Sequence, residues 1–236
     1  MSLTFLLSVI VGYQTLAVKP NTWYMLAPQF NDVAAENLST VDIIKVLSMN
    51  GVSVQTWANY SLASQIKVLN PSTGIYKTYY YTSGAGGTGW RQNPAAPSTL
   101  NVGVGEGVWL YVAAAEDSVS VTMSGQVSEL TSNPVSVGSN GEWQIVCNPY
   151  PVELTHGKIV TSGITAVPWS QYQNAAQIKV LNPDTGIYTT YYYTSGAGGT
   201  QWRANPAAPT ATAVICGAGA AFWVKTTTAG TLTFSL

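Results

Sequence analysis

The sequence predicts an all-β protein built from two tandem homologous domains, each a β-sandwich or a barrel-like (jelly-roll-like) unit, preceded by an apolar N-terminal strand. Three observations support this prediction. A 33-residue block occurs twice, 46% of the residues are hydrophobic with 14 Tyr and 8 Trp, and only 8% are charged, against about 25% in a typical soluble domain. Disordered chains lack such aromatic content. The chain should therefore fold, with a surface rich in Ser, Thr, Asn, Gln and Gly.

The repeated block defines the domain organisation. Residues 65–97 and 177–209 differ at four positions only, which are Ser72/Asp184, Lys77/Thr189, Gly89/Gln201 and Gln92/Ala204. A long repeat at a fixed spacing indicates two copies of one structural unit. We therefore predict a first domain over residues 19–127 and a second domain over residues 128–236.

The first eleven residues read MSLTFLLSVIV and are predicted to form part of an N-terminal arm over residues 1–18. No basic residue precedes Lys19 and no A-x-A site follows, so the pattern is not typical of a signal peptide. It is also shorter than the roughly 20 apolar residues that a membrane-spanning helix needs. The segment LTFLL at residues 3–7 resembles LTFSL at 232–236 and, less closely, VSVTM at 119–123. The arm therefore looks like the last strand of a preceding domain.

Between the arm and the block, residues 39–50 are predicted to form one short helix. Ser39 or Thr40 can cap its start, and Gly51 suits the position just after its end. The alternating apolar residues of 51–58 predict a strand.

The block itself predicts a β-hairpin. Residues 65–69 and 75–82 are strand-like, and the Asn-Pro-Ser-Thr-Gly sequence between them is typical of a turn. Side chains alternate along a strand, so Tyr79 and Tyr81 should face one side and Tyr80 the other. The Gly-rich sequence at 83–88 is predicted to be a flexible turn. Strands over 105–112 and 119–123, with their counterparts at 217–224 and 232–236, complete at least six strands in each domain.

No catalytic, metal-binding or cofactor-binding pattern is found in the sequence. His156 is the sole histidine, and no nucleophile motif lies near it, as a hydrolase triad would require. The Gly-rich turn lacks the Lys-Ser/Thr ending of a phosphate-binding loop. Asp184 lies in a turn without an acidic cluster that would bind calcium. We therefore expect no enzyme activity, no cofactor and no metal.

Charge also limits the partners. The net charge is −1, and the nine Lys and Arg residues are spread along the chain, whereas nucleic-acid binding needs a basic stripe. Weak colloidal repulsion favours self-association. We therefore expect the chain to bind copies of itself, with glycans as a further class of partner. We do not expect it to bind nucleic acid or to span a membrane.

Two kinds of covalent modification are predicted. Cys147 and Cys216 lie in the second copy and have no counterparts in the first, which favours a disulfide between them and an oxidising compartment. Two buried free thiols are the alternative. Asn37 and Asn59 lie in N-x-S triplets that accept glycans in organisms that glycosylate this pattern.

An aromatic contact face is the last candidate site. It consists of a tyrosine from the middle of each Tyr triplet and the tryptophan that follows each Gly-rich turn: Tyr80, Trp90, Tyr192 and Trp202. Such residues can belong to the core, to a subunit contact or to a platform for sugar rings, and the sequence leaves these alternatives open.

Several motifs together resemble secreted bacterial β-domains that occur in tandem. They are the Trp-led strand ending in Cys-Asn-Pro-Tyr-Pro at 147–151, the segment Thr-Val-Asp-Ile-Ile at 40–44, the Gln-Ile-x-Val-x-Asn-Pro hairpin and the closing strand at 217–225. The arrangement is similar to subunits of extracellular helical fibrils from environmental microorganisms, in which tandem β-domains join end to end. This resemblance implies a structural role and no catalytic residues.

The sequence therefore leads to one function hypothesis and one alternative. The hypothesis is an extracellular or cell-surface fibril subunit that assembles head to tail, with its N-terminal arm adding a strand to a neighbouring subunit. The apolar arm residues expected to make this contact are Leu3, Phe5, Leu7, Val9 and Val11. The alternative is a secreted carbohydrate-binding module with twin aromatic sites.

Overall fold

The protein was analysed as a computed structural model that describes residues 11–30, 40–95, 97–113, 119–127, 132–138 and 141–236. These residues form an all-β fold, which confirms the predicted fold class. Within these described residues, the helices are one short α-helix, α1 (Ile43–Val46), and three 3-10 helices, which we call η1 (Trp57–Leu62), η2 (His156–Lys158) and η3 (Trp169–Asn174).

Eleven strands lie in each half of the described chain. Those of the first half are β1 (Val11–Val18), β2 (Trp23–Leu26), β3 (Thr40–Asp42), β4 (Leu47–Asn50), β5 (Gln55–Thr56), β6 (Gln65–Asn70), β7 (Ile75–Gly84), β8 (Gly87–Arg91), β9 (Asn101–Gly103), β10 (Val108–Tyr111) and β11 (Val119–Gln126). Those of the second half are β12 (Ser132–Val137), β13 (Trp143–Cys147), β14 (Leu154–Thr155), β15 (Ile159–Ser162), β16 (Val167–Pro168), β17 (Gln177–Asn182), β18 (Ile187–Gly196), β19 (Gly199–Arg203), β20 (Val214–Cys216), β21 (Ala221–Lys225) and β22 (Gly230–Ser235).

The two halves have the same sheet topology. In the first half the large sheet has the order β2-β10-β6-β7-β5, with β8 paired to β7, and the small sheet has the order β1-β11-β4. The second half repeats these orders as β13-β21-β17-β18-β16, with β19 on β18, and β12-β22-β15. A two-stranded sheet, β3-β9 or β14-β20, completes each half.

Each half has a core between its large and small sheets. In the first half Ile66 and Leu110 of the large sheet share one buried cluster with Val121 and Met123 of the small sheet. Alternate side chains along each strand point to this core, since successive residues of a strand face opposite sides. Each half is therefore a β-sandwich, whose buried side chains contribute about 1.5–3 kcal/mol apiece in gross hydrophobic free energy.

The predicted hairpin of the repeated block is present in both halves. In the first half β6 and β7 pair in register from Gln65–Tyr80 to Asn70–Ile75. Gly74 closes the turn with a φ of 68°, a conformation that costs glycine little, and its amide donates to the carbonyl of Asn70 at 2.9 Å.

The predicted helix over residues 39–50 is much shorter in the structure. Asp42 caps α1, since its carboxylate accepts a hydrogen bond from the Ile44 amide at 3.3 Å. The same carboxylate accepts from the Leu100 amide at 3.2 Å, which ties the cap to β9. Residues Leu47–Asn50 leave the helix to pair with β11 as the edge of the small sheet. The predicted caps at Ser39 and Thr40 are therefore wrong for this helix: Ser39 lies outside the described residues, and Thr40 begins β3.

The N-terminal arm ends earlier than predicted. Residues Val11–Val18 form β1, which pairs antiparallel with β11 of the same half, from Val11–Gln126 to Val18–Val119. Val11 therefore lies in a strand that pairs within its own chain, and the predicted boundary between arm and first domain at residue 18 is wrong. The other predicted arm contacts, Leu3, Phe5, Leu7 and Val9, lie outside the described residues.

The two halves contact each other through reciprocal backbone hydrogen bonds. Leu110 and Val224 are equivalent, because they pair with Ile66 of β6 and Ile178 of β17 respectively, and Gly105 and Gly219 each precede them by five residues. In the same way the equivalent residues Ala27 and Cys147 follow Trp23 and Trp143, which begin β2 and β13.

The bonds at the contact exchange these equivalent residues. The Ala27 amide donates to the Gly219 carbonyl at 2.8 Å, and the Cys147 amide donates to the Gly105 carbonyl at 2.8 Å. Side chains from both halves form a shared apolar cluster there: Met25, Ala27, Ile145, Cys147 and Ala221, with Leu69, Trp109, Leu181 and Trp223 packed against it. The halves are therefore related by an approximate two-fold axis. An interface of this kind uses the same surface on both partners and closes on itself.

Candidate functional site: two equivalent aromatic clusters

Three aromatic side chains meet at the outer edge of the large sheet in each half. We call Trp57, Tyr60 and Tyr80 aromatic cluster one, and their equivalents Trp169, Tyr172 and Tyr192 aromatic cluster two. In cluster one Trp57 and Tyr60 stack, with ring centroids 5.0 Å apart and planes at 19°. Tyr80 meets both rings edge-on, at 6.1 Å from Trp57 and 4.8 Å from Tyr60.

Cluster two has nearly the same geometry. Trp169 and Tyr172 stack at 5.1 Å with planes at 18°. Tyr192 meets them edge-on at 6.1 Å and 4.9 Å. Both arrangements are the stacked and T-shaped geometries that aromatic quadrupoles favour.

The local fold explains why these rings meet. The short strand β5 runs parallel to β7 and delivers the chain into η1. Side chains three residues apart lie above one another on a 3-10 helix, so Trp57 and Tyr60 stack. Tyr80 reaches them from β7, on the sheet face opposite to Tyr79 and Tyr81. The Ala63 amide donates to the Tyr60 carbonyl at 3.0 Å and ends the helix.

The clusters are open to solvent on one side. Tyr60 is 42% exposed and Tyr172 40%, and the other four rings are half-buried. The rings contact one another and enclose no space, so a ligand would pack on the outer surface of the cluster. Residues 53–64 and 165–176 contain no charged side chain. They present exposed amides such as Asn59 and Gln171 together with exposed apolar residues such as Leu62.

The segments that precede the repeated block in the two halves share the aromatic residues of the clusters and little else. Residues 53–64 and 165–176 are identical at three positions only, which are Trp57/Trp169, Tyr60/Tyr172 and Ala63/Ala175. The alanines are buried, so packing accounts for them. The aromatic residues are partly exposed, and they recur in a stretch where the two copies otherwise differ. The Trp-x-x-Tyr pattern ahead of the repeated block is the sequence signal that would have located the site. The block itself contains only the third ring of each cluster, Tyr80 or Tyr192.

The structure corrects half of the predicted aromatic face. Tyr80 and Tyr192 lie in the two clusters, but Trp90 and Trp202 are each 2% exposed. The pairing of β7 with β8 explains the error, because Trp90 lies opposite Tyr81 and so shares its core-facing side. In the second half Trp202 donates its indole N–H to Thr161 Oγ1 at 2.9 Å. These two tryptophans are core residues.

A buried arginine lies beside each cluster, because Arg91 pairs across the strands with Tyr80 and Arg203 with Tyr192, on the same face of the sheet. Arg91 is fully buried and Arg203 1% exposed. The Arg91 guanidinium donates from Nη1 to the carbonyls of Ala85 and Ala95, both at 2.6 Å, from Nε to that of Thr82 at 3.3 Å, and from Nη2 to that of Gly87. The Gly-rich segment predicted to be a flexible turn is therefore a β-hairpin tip that the arginine binds through its backbone.

The predicted disulfide is absent. Cys147 and Cys216 are buried free thiols. They belong to different apolar clusters, because Cys147 lies in the contact between the halves and Cys216 in the core of the second half. Cys147 Sγ donates to the carbonyl of Glu106 in the other half at 3.5 Å. Burial raises the pKa of both thiols, that of Cys216 to about 12.

The remaining predicted residues are dispersed. Asn59 is exposed in η1, next to Tyr60, whereas Asn37 lies outside the described residues. Asp184 forms an ion pair with Lys19 of the other half at 2.5 Å. His156 begins η2 and is half-buried, with its ring 5.6 Å from that of Tyr191. Burial lowers its pKa.

The described part of the chain contains no group of three His, Cys, Asp or Glu side chains placed to hold a metal ion. No helix within it has the length and hydropathy to cross a membrane. A cleft of about 270 Å³ lies between the halves. Its one acidic side chain, Glu106, already accepts a hydrogen bond from the Gly103 amide at 3.1 Å.

Comparison of the chain with protein-family models, curated proteins and solved structures finds no match. A function must therefore be argued from the chemistry of the site, since a fold by itself does not specify one.

Proposed function

We propose that the protein is a non-catalytic carbohydrate-binding protein with two equivalent sites, aromatic clusters one and two. The observation that carries this proposal is the recurrence of one partly exposed Trp–Tyr–Tyr arrangement in both halves, in which the Trp–Tyr pair recurs although the segments that carry it share only one other residue.

The chemistry of the clusters suits a neutral sugar. Sugar rings have apolar C–H faces that pack on aromatic side chains, which offer a large apolar surface with little conformational entropy to lose. The amide and hydroxyl side chains around the rings can donate to and accept from sugar hydroxyls. Because the segments that carry the Trp–Tyr pairs contain no charged residue, neither site has an evident group for pairing with a charged ligand.

The experiment is retention on insoluble cellulose, chitin and β-1,3-glucan, compared between the native protein and variants. We expect at least one polymer to retain the native protein. The double variant Trp57→Ala/Trp169→Ala should lose at least about tenfold in affinity, which is 1.4 kcal/mol, because the main apolar surface of each site is removed.

The matched control is Tyr13→Ala. Tyr13 is 79% exposed on β1, so its removal takes away an exposed ring outside both clusters. Retention equal to that of the native protein is expected. The proposal fails if none of the three polymers retains the native protein, or if the folded double variant binds as tightly as the native protein.

A second proposal is the fibril subunit that assembles through its N-terminal segment. One observation favours it. β1 and β12 have equivalent places, since each pairs with the last strand of its own half. In the chain, β12 follows β11, which is the last strand of the preceding half. By analogy, the residues that precede β1 correspond to the last strand of a preceding unit. We propose that the apolar residues Leu3, Phe5, Leu7 and Val9 add a strand to a neighbouring copy, at the cell surface or outside the cell.

This second proposal is tested by deleting residues 2–10, which leaves β1 intact. Negative-stain microscopy and light scattering at neutral pH should show filaments for the full chain and a folded monomer for the deletion variant, with circular dichroism as the check on folding. Monodisperse monomers from both proteins, or filaments from both, would contradict it.

A further inference from the structure

We infer that the ligand is a polysaccharide, and that the two aromatic clusters bind it as equal sites that act together on one polymer. This inference rests on the proposed function and adds the class of ligand and the mode of binding.

Equality of the sites follows from their geometry. Corresponding ring distances in the two clusters agree within 0.1 Å, from 5.0 and 5.1 Å for the stacked pairs to 4.8 and 4.9 Å for the closer edge-on pairs. The strands that carry the edge-on tyrosines, β7 and β18, have the same register with β6 and β17. The flanking side chains differ, as Asn59 and Gln171 do, but the rings supply the main apolar contact, so a short sugar should bind both clusters with similar intrinsic affinity.

Joint action follows from the contact between the halves. The halves are joined by reciprocal backbone hydrogen bonds at Ala27 and Cys147, by one shared apolar cluster and by the Lys19–Asp184 ion pair. The clusters therefore keep a fixed relation, and no hinge has to be ordered when the second site binds. A polymer that reaches both clusters at once then gains roughly 10²- to 10⁴-fold in affinity over one site alone.

A polymer is the ligand that uses this arrangement. A monosaccharide or a short oligosaccharide occupies each cluster separately and gains nothing from the second copy. A chain or surface with repeating sugar units presents many equivalent faces, so the second cluster finds its ligand already nearby. The affinity of one open aromatic surface for a sugar is low, and binding of one polymer at two such surfaces raises the overall affinity.

The test compares a short and a long ligand on three full-length variants: Trp57→Ala, Trp169→Ala and the double variant. The short ligand is cellotetraose, chitotetraose or the β-1,3-glucan tetrasaccharide, chosen to match the polymer that retains the native protein. Calorimetry with the tetrasaccharide should give two equal sites for the native protein and one site of unchanged affinity for each single variant. On the polymer each single variant should lose at least tenfold in affinity.

The outcomes separate the two proposals. A loss of only about twofold on the polymer for each single variant means that the clusters act independently, which overturns this inference and leaves the proposed function intact. Unequal tetrasaccharide affinities of the two sites also overturn it. Absence of binding to every polymer and tetrasaccharide overturns the proposed function itself. Thermal unfolding of each variant shows whether a lost site reflects lost folding.

Discussion

Arg91 and Arg203 place a cation in the interior of each half, and both donate hydrogen bonds to backbone carbonyls. A guanidinium has five N–H donors in a planar fork, which lets one side chain bind several carbonyls at once. Arg91 joins the tip of the β7–β8 hairpin to the segment after β8, through Ala85 and Ala95. Arg203 joins Ala197 to Pro206 in the same way. The arginines thus fix the hairpin tips beside the aromatic clusters.

The first prediction concerns Arg91→Met. The methionine fills part of the space but donates no hydrogen bond, so several buried carbonyls lose their partner. Hydrogen bonds to a charged group contribute about 1.5–3 kcal/mol each, and we expect the free energy of unfolding to fall by at least about 2 kcal/mol in urea titrations. Limited proteolysis should cut within residues 83–97. The matched control is Lys77→Thr, which introduces the residue that the second half has at this position and should change stability by less than about 0.5 kcal/mol. Equal stability of both variants would contradict the proposed role of Arg91.

Residue patterns predicted some of these positions and not others. Alternation along the Tyr triplet correctly separated Tyr80 from Tyr79 and Tyr81, because side-chain direction in a strand is a local property. The burial of Trp90 depends on its register opposite Tyr81, which is set by a turn and by packing. The comparison of the two copies predicted a disulfide between Cys147 and Cys216. The two cysteines instead pack in different apolar clusters, which depends on the tertiary structure and not on local sequence.

At the scale of elements, the halves approach each other closely at several glycines, and Gly107 is the one among them that faces its own equivalent in the other half. Gly107 and Ala221 are equivalent, since each lies three residues before the strand residue that pairs with Ile66 or Ile178. A Cβ at Gly107 would lie 2.4 Å from Ala221 Cβ and 2.7 Å from Ile145 Cγ2. The space admits a side chain from one half only. This asymmetry favours pairing of the first half with the second over pairing of two second halves.

The second prediction concerns Gly107→Val. The added side chain must displace Ala221 and Ile145, and such overpacking costs about 1–3 kcal/mol. The thiols provide a local readout, because burial raises their pKa and leaves little reactive thiolate at pH 8. In Gly107→Val, Cys147 at the contact should react with a thiol reagent faster than in the native protein, and Cys216 in the core should not.

The control for this experiment is Gly217→Ala. A Cβ at Gly217 meets no atom within 4 Å and the residue has no positive φ, so stability and thiol reactivity should stay as in the native protein. If both thiols react faster in Gly107→Val, the whole half has loosened and the substitution does not report on the contact.

Local sequence also predicted the elements unevenly. The β6–β7 hairpin was predicted nearly to the residue because its turn chemistry and alternation are local. The helix over residues 39–50 was overestimated, since pairing of Leu47–Asn50 with β11 outweighs helix propensity. The helix η1, which carries Trp57 and Tyr60, was missed altogether, because the alternation before it indicated a continued strand.

At the scale of the whole molecule, the repeat predicted two similar units but not their arrangement. The resemblance to fibril subunits implied tandem domains that join end to end. The reciprocal bonds at Ala27 and Cys147 instead relate the halves by an approximate two-fold axis. The residues at this contact lie mostly outside the repeated block, and they differ between the halves, as Gly107 and Ala221 do. Growth of a filament would therefore need a surface other than this closed contact.

The last prediction follows from the scarcity of charge. The chain has ten acidic and nine basic residues in 236, and the Lys19–Asp184 pair is exposed, with 60% and 68% of its side chains accessible. Exposed pairs contribute little and are screened by salt. We therefore expect the free energy of unfolding to change little with added salt at pH 7. Above about pH 8.5 it should fall, because burial raises the pKa of Cys147 and Cys216 in the folded state, whereas the thiols of the unfolded chain ionise near 8.5.

Below pH 7, His156 should produce the main slope. Burial lowers its pKa in the folded state, whereas the unfolded chain keeps a value of about 6.5. Above pH 6.5 the imidazole is neutral in both states, and the contribution of His156 to stability is at its full value. As the pH falls through 6.5 the unfolded state binds a proton before the folded state does, so the free energy of unfolding falls. Urea titrations between pH 8 and 5 should show this decrease in the native protein and a flatter profile in His156→Gln. An equal slope in both proteins, or stability that rises as the pH falls, would show that another group governs the pH dependence.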